Sequence, residues 1–348
     1  MITATSGTRQ QHAVSIWQRE LAQAVTDPAE LLRLLAIDPV TAAALLEPAR
    51  SAGLSFRLRV PHSFVRRMRR GDPHDPLLRQ VLPLGEELKA TPGFGADPVG
   101  EAAARRAPGL LQKYHGRALL VLTGACAVHC RYCFRREYPY SDDAHGESSG
   151  RWEEALAMLA ADDSIEELIL SGGDPLSLSN ARLAQLSAAL IRVPHLRRLR
   201  IHTRQPIVLP ARVDAGFTQW LRTLPWPVII VLHANHPQEL DAEVNAAVAN
   251  LRDSGATLLN QSVLLAGVND SAPVLADLSR RLFDAGVLPY YLHLLDRVNG
   301  TAHFEVPEPR ARHIAAELAA LLPGYLVPRL AREVPEASAK LVLAPAFV

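Results

Sequence analysis

The three cysteines of the chain, Cys126, Cys130 and Cys133, are its only ones in 348 residues and lie within eight positions. Thiolates at this C-x3-C-x2-C spacing can hold three irons of a 4Fe–4S cube, which leaves the fourth iron open to a small molecule. Just upstream, the apolar run 117–123 is bounded by glycines and predicts a buried strand. The cysteines should therefore lie on the loop that leaves the C-terminal end of a strand, where α/β folds usually place their chemistry.

Three other uses of these cysteines remain open. A structural zinc site would need four ligands, with His129 or His145 as the fourth. A disulfide would leave one cysteine over, and a chain without a signal peptide gives no oxidising compartment. A cluster that only transfers electrons would normally take a fourth cysteine, which this sequence lacks.

The composition argues against some classes of protein. A formal net charge of +1 disfavours a nucleic-acid or membrane binder driven by electrostatics. The densest basic run, Arg66–Arg70, fits either a solvated helix end or a docking patch for an acidic protein or RNA. Residues 1–7 lack a basic segment followed by an apolar core, and no apolar run is long enough to span a bilayer. We expect a cytoplasmic protein, a location that also suits an oxygen-sensitive cluster.

Strand and helix patterns alternate along the chain from residue 117 onward. The strand-like runs are 117–123, 166–171, 197–203, 227–233, 256–263 and 288–294. The helical patterns between them include Trp152–Ala161, Ala181–Ile191, Leu240–Leu251 and Val274–Ala285. This alternation predicts an α/β fold with parallel strands joined by right-handed crossovers. Six units are too few for a closed eight-stranded barrel, so we expect an open, curved sheet.

The whole chain is expected to have three parts. Residues 1–95 predict a helical accessory region, in which Asp27 and Asp38 would cap two helices that begin with proline. Residues 96–325 would hold the sheet. Residues 326–348 would form a Pro- and Ala-rich C-terminal segment.

Polar residues follow several of the predicted strands. After the second strand, Gly172 and Gly173 would let the backbone approach a ligand closely, and Asp174 can accept hydrogen bonds. His202 and His233 end the third and fourth strands. A histidine at a strand end is often only a satisfied polar cap, but two that face one mouth favour contacts to a cofactor.

At these residues the sequence resembles the radical S-adenosylmethionine enzymes, whose signature is C-x3-C-x2-C with an aromatic residue, here Tyr132, before the last cysteine. The longer string Cys126–Arg136 and phrases such as Pro289–Asp296 resemble the lysine 2,3-aminomutase family. The resemblance runs from about Leu31 to Lys340. It is strongest to the bacterial branch that makes (R)-β-lysine for the modification of elongation factor P. It implies the partial (β/α)6 barrel of radical S-adenosylmethionine enzymes.

The resemblance also implies roles for individual residues. The amino and carboxylate groups of S-adenosylmethionine would chelate the open iron. The residues implied to bind that cofactor are Tyr132, Gly172, Gly173, Asp174 and His233. Those implied to bind pyridoxal phosphate are Lys340, which would form the Schiff base, Lys113 and Arg117, which would bracket the phosphate, and Gln261. Those implied to hold a lysine substrate are Arg135, at its α-carboxylate, and Asp296 and Glu333, at its ε-ammonium.

The implied reaction begins when an external one-electron reductant reduces the cluster, which cleaves S-adenosylmethionine into methionine and a 5′-deoxyadenosyl radical. That radical would remove hydrogen from Cβ of lysine, the amino group would migrate, and the product radical would recover the hydrogen. The (R)-β-lysine would pass to a separate ligase that acts on elongation factor P. The ligase should be a different protein, because nothing in this sequence resembles the phosphate-binding loop G-x-x-x-x-G-K-[ST].

Some features depart from the free-lysine members of the family. Several of those have aspartate where this chain has Glu333 and histidine where it has Tyr132. They also carry a zinc-binding, cysteine-bearing extension, whereas this chain stops eight residues after Lys340. These departures favour the elongation-factor branch. The alternatives are a free-lysine aminomutase of metabolism and a radical enzyme without pyridoxal phosphate, in which Lys340 would be a solvated surface residue.

Overall fold

The computed structural model describes residues 15–143 and 152–347, so the candidate ligand His145 and residues 1–7 considered above lie outside the described residues. One ten-stranded sheet runs through the chain, and its strands neighbour each other in chain order. The strands are β1 (Arg105–Ala107), β2 (Leu110–Tyr114), β3 (Arg117–Val121), β4 (Glu167–Ser171), β5 (Arg198–Thr203), β6 (Val228–Leu232), β7 (Thr257–Val263), β8 (Leu288–His293), β9 (Arg329–Arg332) and β10 (Leu341–Val342).

Strands β3 to β8 are all parallel, and they match the six predicted strand runs to within two residues at each end. A row of aligned apolar residues crosses the sheet and is buried against the helices. The row consists of Leu120, Leu170, Ile201, Ile230 and Leu258. Within the described residues β1 and β10 do not pair with each other, so the sheet is open. The structure therefore confirms the prediction of a partial barrel.

The helices cover the sheet and form the N-terminal region. They are α1 (Ile16–Ala22), α2 (Pro28–Leu34), α3 (Pro39–Ser55), α4 (His62–Val65), α5 (Pro76–Arg79), α6 (Tyr140–Asp143), α7 (Glu153–Ala161), α8 (Asn180–Leu190), α9 (Gln205–Val208), α10 (Ala215–Thr223), α11 (Ala242–Arg252), α12 (Ala272–Asp284) and α13 (Glu308–Leu321). Helices α7, α8, α11 and α12 are the four predicted ones. Among the helices described, no helix is long and apolar enough to cross a membrane.

The N-terminal helices begin as the sequence predicts. The Asp27 carboxylate accepts from the backbone N–H of Ala29 at the start of α2, and Asp38 accepts from Val40 and Thr41 at the start of α3. Such caps satisfy backbone donors that have no partner inside the helix.

The apolar core of the N-terminal region extends to the segment that carries the cysteines. Phe64 and Leu77 are fully buried in a cluster that also contains Ala127 and Val128. Because Ala127 and Val128 lie between Cys126 and Cys130, the N-terminal region packs directly against the cysteine segment.

Two arginines of the basic run Arg66–Arg70 make contacts within the chain. Arg66 pairs with Glu243 at 3.2 Å on the surface, while Arg67 Nη1 donates to the carbonyl of Glu239 at 2.5 Å. These contacts favour a helix end with intramolecular partners over a docking patch.

The sequence did not predict the strands at either edge of the sheet. Strands β1 and β2 form an antiparallel hairpin before β3, whereas β9 pairs parallel to β8 and β10 antiparallel to β9. Glu333 directly follows β9 and Lys340 directly precedes β10. Glu336 lies in the turn between them with a positive φ of 63°. The C-terminal segment is thus a hairpin that brings Lys340 back beside Glu333.

Candidate functional site

A cavity of about 440 Å³ lies inside the curve of the sheet and opens at the C-terminal ends of its strands. The three cysteines and every residue that the resemblance implies for a site line this one cavity. These residues are Cys126, Cys130, Cys133, Tyr132, Gly172, Gly173, Asp174, His233, Lys113, Arg117, Gln261, Arg135, Asp296, Glu333 and Lys340. They come from strands and loops far apart in the sequence, and the fold brings them together.

The cysteine loop, residues 124–136 after β3, carries three free thiols. Burial raises the pKa of Cys126 well above its ordinary value and that of Cys133 to about 11. In the described part of the chain, no three His, Cys, Asp or Glu side chains converge as they would around a single metal ion. In a 4Fe–4S cube each thiolate binds its own iron, so such convergence is not required. The donor set, three thiols on one loop, fits a cube with one open iron.

A disulfide, and a zinc site completed by His129, find no support in the loop. The three cysteines do not form a disulfide, and all of them lie within residues 15–143. The imidazole Nδ1 of His129 lies 2.8 Å from the carbonyl oxygen of Arg57, and its ring stacks on Phe56 at 5.2 Å. His129 is therefore already held by the N-terminal region.

Buried ion pairs fix the cysteine loop to the N-terminal region. Arg131 and Glu87 form an ion pair with no exposed side-chain surface, and Arg136 pairs with the same carboxylate at 2.8 Å. The backbone N–H of Arg131 donates to the carbonyl of Gln80 at 2.8 Å. Breaking one partner of such a buried pair is strongly unfavourable, so the loop is held in one conformation.

Gly172 and Gly173 are needed because their backbone packs against the segment that leads into the cysteine loop. A Cβ atom at Gly172 would lie 2.5 Å from the carbonyl oxygen of Thr123, and one at Gly173 would lie 2.5 Å from that of Ala125. Gly172 also has a φ of +131°, which side chains rarely allow. The backbone at these glycines thus closely approaches another segment of the protein. A close approach to a ligand stays a prediction.

The Asp174 carboxylate joins the loops after β4 and β5. It accepts from the Thr203 hydroxyl at 2.8 Å and from the backbone N–H groups of Arg204 at 2.8 Å and Leu176 at 3.0 Å. These contacts give Asp174 a structural role, and a contact to S-adenosylmethionine stays a prediction.

The rings of Tyr132 and His233 stack on each other in the cavity wall. Their ring centroids are 5.7 Å apart, and Tyr132 Oη lies 3.0 Å from His233 Nε2. Asn235 Nδ2 donates to the same hydroxyl at 2.7 Å. Burial, aided by Arg204, lowers the pKa of His233 to about 3, so its imidazole is neutral. It can act as a hydrogen-bond partner but not as a cation.

Glu333 is the centre of the contacts around the C-terminal lysine. Its Oε2 accepts from Lys340 Nζ at 2.5 Å, and its Oε1 accepts from Tyr114 Oη at 2.5 Å and lies 3.7 Å from Lys113 Nζ. Although burial opposes ionisation, Lys340 and Tyr114 hold the pKa of Glu333 below its usual range. Lys340 Nζ also lies 5.8 Å from the centre of the Tyr291 ring. Lys340 is therefore a held cavity residue rather than a solvated one.

The second acid predicted to hold an ammonium group, Asp296, lines the same cavity. Burial raises the pKa of the Asp296 carboxyl to about 7, against the opposing influence of Lys340. A further cationic partner would stabilise the ionised form of this carboxyl and lower its pKa.

Arg135 is bound by a partner that the sequence did not reveal. Its Nε and Nη2 donate to the two carboxylate oxygens of Glu101, at 2.8 and 2.6 Å, and Nη1 donates to Ser171 Oγ at 2.9 Å and to the carbonyl of Gly172 at 3.0 Å. Glu101 lies in an irregular segment, where no pattern marks an acid as buried. The guanidinium of Arg135 is therefore already paired with a buried carboxylate, and both side chains line the cavity.

Further polar residues in the cavity were missed or left undecided by sequence reasoning. Arg200 and His202 on β5, and Tyr291 and His293 on β8, all line it. Each pair is spaced by two, and this period could have placed them on one face of a strand. Burial and the nearby Arg200 hold the pKa of His202 well below its usual range, and its Nε2 has no hydrogen-bond partner among the described residues.

Comparison with known proteins agrees with this site. Residues 115–195 match the family model described as a 4Fe-4S single cluster domain. The chain is 51% identical over 318 residues to the L-lysine 2,3-aminomutase of Escherichia coli (strain K12), with 91% of each protein covered. It is 33% identical over 295 residues to the L-lysine 2,3-aminomutase of Clostridium subterminale, with 84% of this chain and 70% of the relative covered. A solved radical SAM methyltransferase from Sphaerobacter thermophilus matches with a TM-score of 0.44 and 17% identity, over 64% of this chain and 68% of that chain.

The open, mostly parallel sheet and its three-cysteine loop, together with the two aminomutase relatives and the 4Fe-4S family match, define the class of the chain as radical S-adenosylmethionine enzymes. Within that class, the chain belongs to the L-lysine 2,3-aminomutase family. It is therefore an isomerase, and its cofactors include a 4Fe–4S cluster and S-adenosylmethionine.

Proposed function

We propose that the chain converts L-lysine to (R)-β-lysine, with S-adenosylmethionine as the radical source and pyridoxal phosphate as the carrier of the substrate amino group. The observation that carries this proposal is that residues from three separate parts of the sequence line one cavity. The cysteines come from the loop after β3, Lys113 and Arg117 from β2 and β3, and Glu333 and Lys340 from the C-terminal hairpin. A cluster, a phosphate-bearing cofactor and an amino-acid substrate would thus share one space.

The lysine content of the chain supports Lys340 as the residue that binds pyridoxal phosphate. The sequence has three lysines, Lys89, Lys113 and Lys340. Lys89 is exposed, and Lys113 Nζ donates to the carbonyl of Val99 at 2.6 Å. Lys340 lies at the end of a turn with its ammonium inside the cavity, so it is the lysine best placed to become a Schiff base.

Other residues of the chain fit the remaining parts of this cofactor. Lys113 and Arg117 offer a point charge and a planar fork, which suit a phosphate dianion. The guanidinium of Arg117 lies 4.6 Å from the centre of the Tyr114 ring and is oriented by it. Gln261 offers an amide from β7. When bound, pyridoxal phosphate supplies a carbonyl that joins an amino group covalently and a ring that accepts electron density.

The charged groups at the two ends of the cavity indicate how lysine would bind. At one end, we assign the α-carboxylate to the Arg135 guanidinium, which lines the cavity beside its partner Glu101. At the other end, Glu333 already holds one alkylammonium group, that of Lys340. Once Lys340 is joined to the cofactor, Glu333 and Asp296 would be free to hold the ε-ammonium of the substrate.

The cluster side of the cavity would bind S-adenosylmethionine. We assign its methionine end to Gly172, Gly173 and Asp174, beside the cysteine loop, and further contacts to Tyr132 and His233. These residues are fixed by the packing and hydrogen bonds described above, so they would orient the cofactor without rearrangement. A prearranged site of this kind lowers the entropy lost in reaching the reactive geometry.

Lysine binding should depend on pH through Asp296. Burial raises the pKa of its carboxyl to about 7 while Lys340 is an ammonium group, and the loss of that charge when Lys340 joins the cofactor should raise it further. The carboxylate form needed for the ε-ammonium is therefore incomplete at and below neutral pH. Below pH 7, each pH unit should weaken lysine binding by up to about tenfold, because one pKa unit corresponds to about 1.4 kcal/mol. Calorimetric titration of the loaded enzyme with lysine between pH 5.5 and about 8 measures this effect.

Asp296→Asn separates this effect from other titrations. The variant should bind lysine more weakly by about 2–5 kcal/mol at high pH and lose the part of the pH dependence that comes from the Asp296 carboxyl. Uncoupled cleavage of S-adenosylmethionine should be little changed. Equal loss of lysine binding and of cleavage would instead mean that Asp296 supports the fold or the cluster.

For the biological role, we propose that the (R)-β-lysine is passed in the cytoplasm to a separate ligase that joins it to elongation factor P. The resemblance of the sequence to that bacterial branch supports this, including Tyr132 and Glu333 at the positions where several free-lysine enzymes differ. The substrate would be free L-lysine. An external one-electron reductant would supply the electron that reduces the cluster.

Deletion of the gene tests this role. The deletion strain should contain elongation factor P without its β-lysyl group, and added (R)-β-lysine should restore the modification. Mass spectrometry of purified elongation factor P measures both states. If the strain keeps the modification without added β-lysine, the product serves metabolism instead, while the aminomutase chemistry stands.

A further inference from the structure

Arg204, the first residue after β5, lies beside one of the cysteines of the cluster site. Its Nη1 donates to Cys130 Sγ at 2.8 Å and to Tyr132 Oη at 2.5 Å. Its Nη2 donates to Gln80 Oε1 at 2.7 Å and to Glu239 Oε2 at 3.0 Å. These contacts engage both outer nitrogens of the planar guanidinium, so its orientation is fixed and its positive charge lies at the sulfur.

Glu239 keeps the guanidinium in this position. Its side chain is fully buried, and its Oε1 accepts from the backbone N–H groups of Asn235 at 3.0 Å and His236 at 3.1 Å. Gln80 Nε2 donates to the same oxygen at 3.1 Å. If Arg204 turned away, a buried carboxylate would lose its cation, which is strongly unfavourable. The contact between Arg204 and Cys130 is thus maintained by groups that do not bind the cluster.

We propose that Arg204 raises the reduction potential of the cluster that Cys130 binds. One electron passes from an external one-electron reductant to the cluster and adds one negative charge, with no bond broken in the protein. The potential of an iron–sulfur cluster depends on hydrogen bonds to its sulfurs and on nearby charge. An N–H donor and a positive charge at Cys130 stabilise the reduced cluster more than the oxidised one. The external reductant therefore reduces the cluster more readily.

Arg204 is in this view a positioning residue that acts through Cys130 and does not touch the substrate. Its role rests on the cluster alone and is independent of pyridoxal phosphate, lysine and elongation factor P. A potential shift in a preparation that makes no β-lysine would therefore support the role of Arg204 even if the proposed function failed.

The test is a redox titration of the reconstituted enzyme, followed by electron paramagnetic resonance without S-adenosylmethionine or lysine. Arg204→Lys keeps a cation for Glu239, but a single ammonium cannot span both Glu239 and Cys130. At a fixed potential, the ratio of reduced to oxidised cluster should fall at least tenfold, which equals a shift of about 59 mV to lower potential. Iron content and circular dichroism check that the variant is folded and loaded.

A second variant and a control complete the experiment. Arg204→Gln combined with Glu239→Gln removes both charges of the buried pair, so no carboxylate is stranded, and its potential should also fall. Arg212→Lys makes the same change at another buried arginine, which donates to the carbonyls of Leu176 and Leu178. The potential of the cluster in this variant should not move.

Unchanged potentials in folded, iron-loaded Arg204 variants would overturn the proposal. Loss of the cluster from both Arg204 variants but not from Arg212→Lys would overturn it as well, since Arg204 would then retain the cluster rather than set its potential. A fall in all three variants alike would mean that the effect is not specific to Cys130, and would also contradict it.

Discussion

Cys130→Ala is expected to abolish both the cluster and the reductive cleavage of S-adenosylmethionine. The wild-type chain should bind about four irons after anaerobic reconstitution, held by three thiolates. The chain has no fourth cysteine to replace Cys130, so removing it leaves two thiolates for the cube. Iron analysis, the visible absorption of the cluster and the release of 5′-deoxyadenosine measure the result.

Ser177→Ala is a suitable control for this variant. The Ser177 hydroxyl donates to the carbonyl of Ala125, next to the first cysteine, at 3.1 Å. Its removal disturbs the surroundings of the cysteine loop but leaves all three thiols, so cluster and cleavage should remain. A Cys130→Ala enzyme that keeps full cleavage activity would be incompatible with a radical mechanism at this site.

Lys340→Ala should have the second large effect, the loss of lysine turnover while cleavage of S-adenosylmethionine remains. The variant lacks the amine that would bind pyridoxal phosphate and retains every cysteine. Turnover should fall on the order of 10³-fold or more, as for other residues that take part directly in bond formation. The visible absorption band of the lysine-bound cofactor should disappear at the same time.

The small lysine content of the chain makes the matching control direct. Lys89→Ala removes an exposed lysine and should change neither the absorption nor the turnover. Borohydride reduction of the loaded wild-type enzyme, followed by peptide mapping, should place the cofactor on Lys340. Labelling of Lys113 instead, or full turnover by Lys340→Ala, would contradict the assignment.

The parallel part of the fold could be predicted because each strand is an apolar run bounded by turn residues. The run 117–123 ends two residues beyond β3, but the cysteines still follow a strand end. The last edge strand, β10, could not be predicted, since it has only the two residues Leu341 and Val342, too few to show a period. The position of Lys340 inside the cavity depends on that pairing.

The site residues could be predicted by type but not by their partners. Nothing near Arg135 in the sequence marks Glu101 as its partner, because the two are 34 residues apart and meet only through the fold. In the same way, the carboxylate of Asp174 is occupied by Thr203 and Arg204, which lie at the end of the next strand and just after it. Sequence spacing shows which groups are available, whereas only the structure shows which of them are already paired.

The most direct test of the proposed function is anaerobic incubation of the reconstituted enzyme with L-lysine, S-adenosylmethionine, pyridoxal phosphate and a strong one-electron reductant. The products should be analysed by chromatography on a chiral phase. We expect (R)-β-lysine to accumulate, and its formation to stop when any one of the added cofactors or the reductant is omitted. Consumption of S-adenosylmethionine without β-lysine, or β-lysine formation without the reductant, would contradict the proposal.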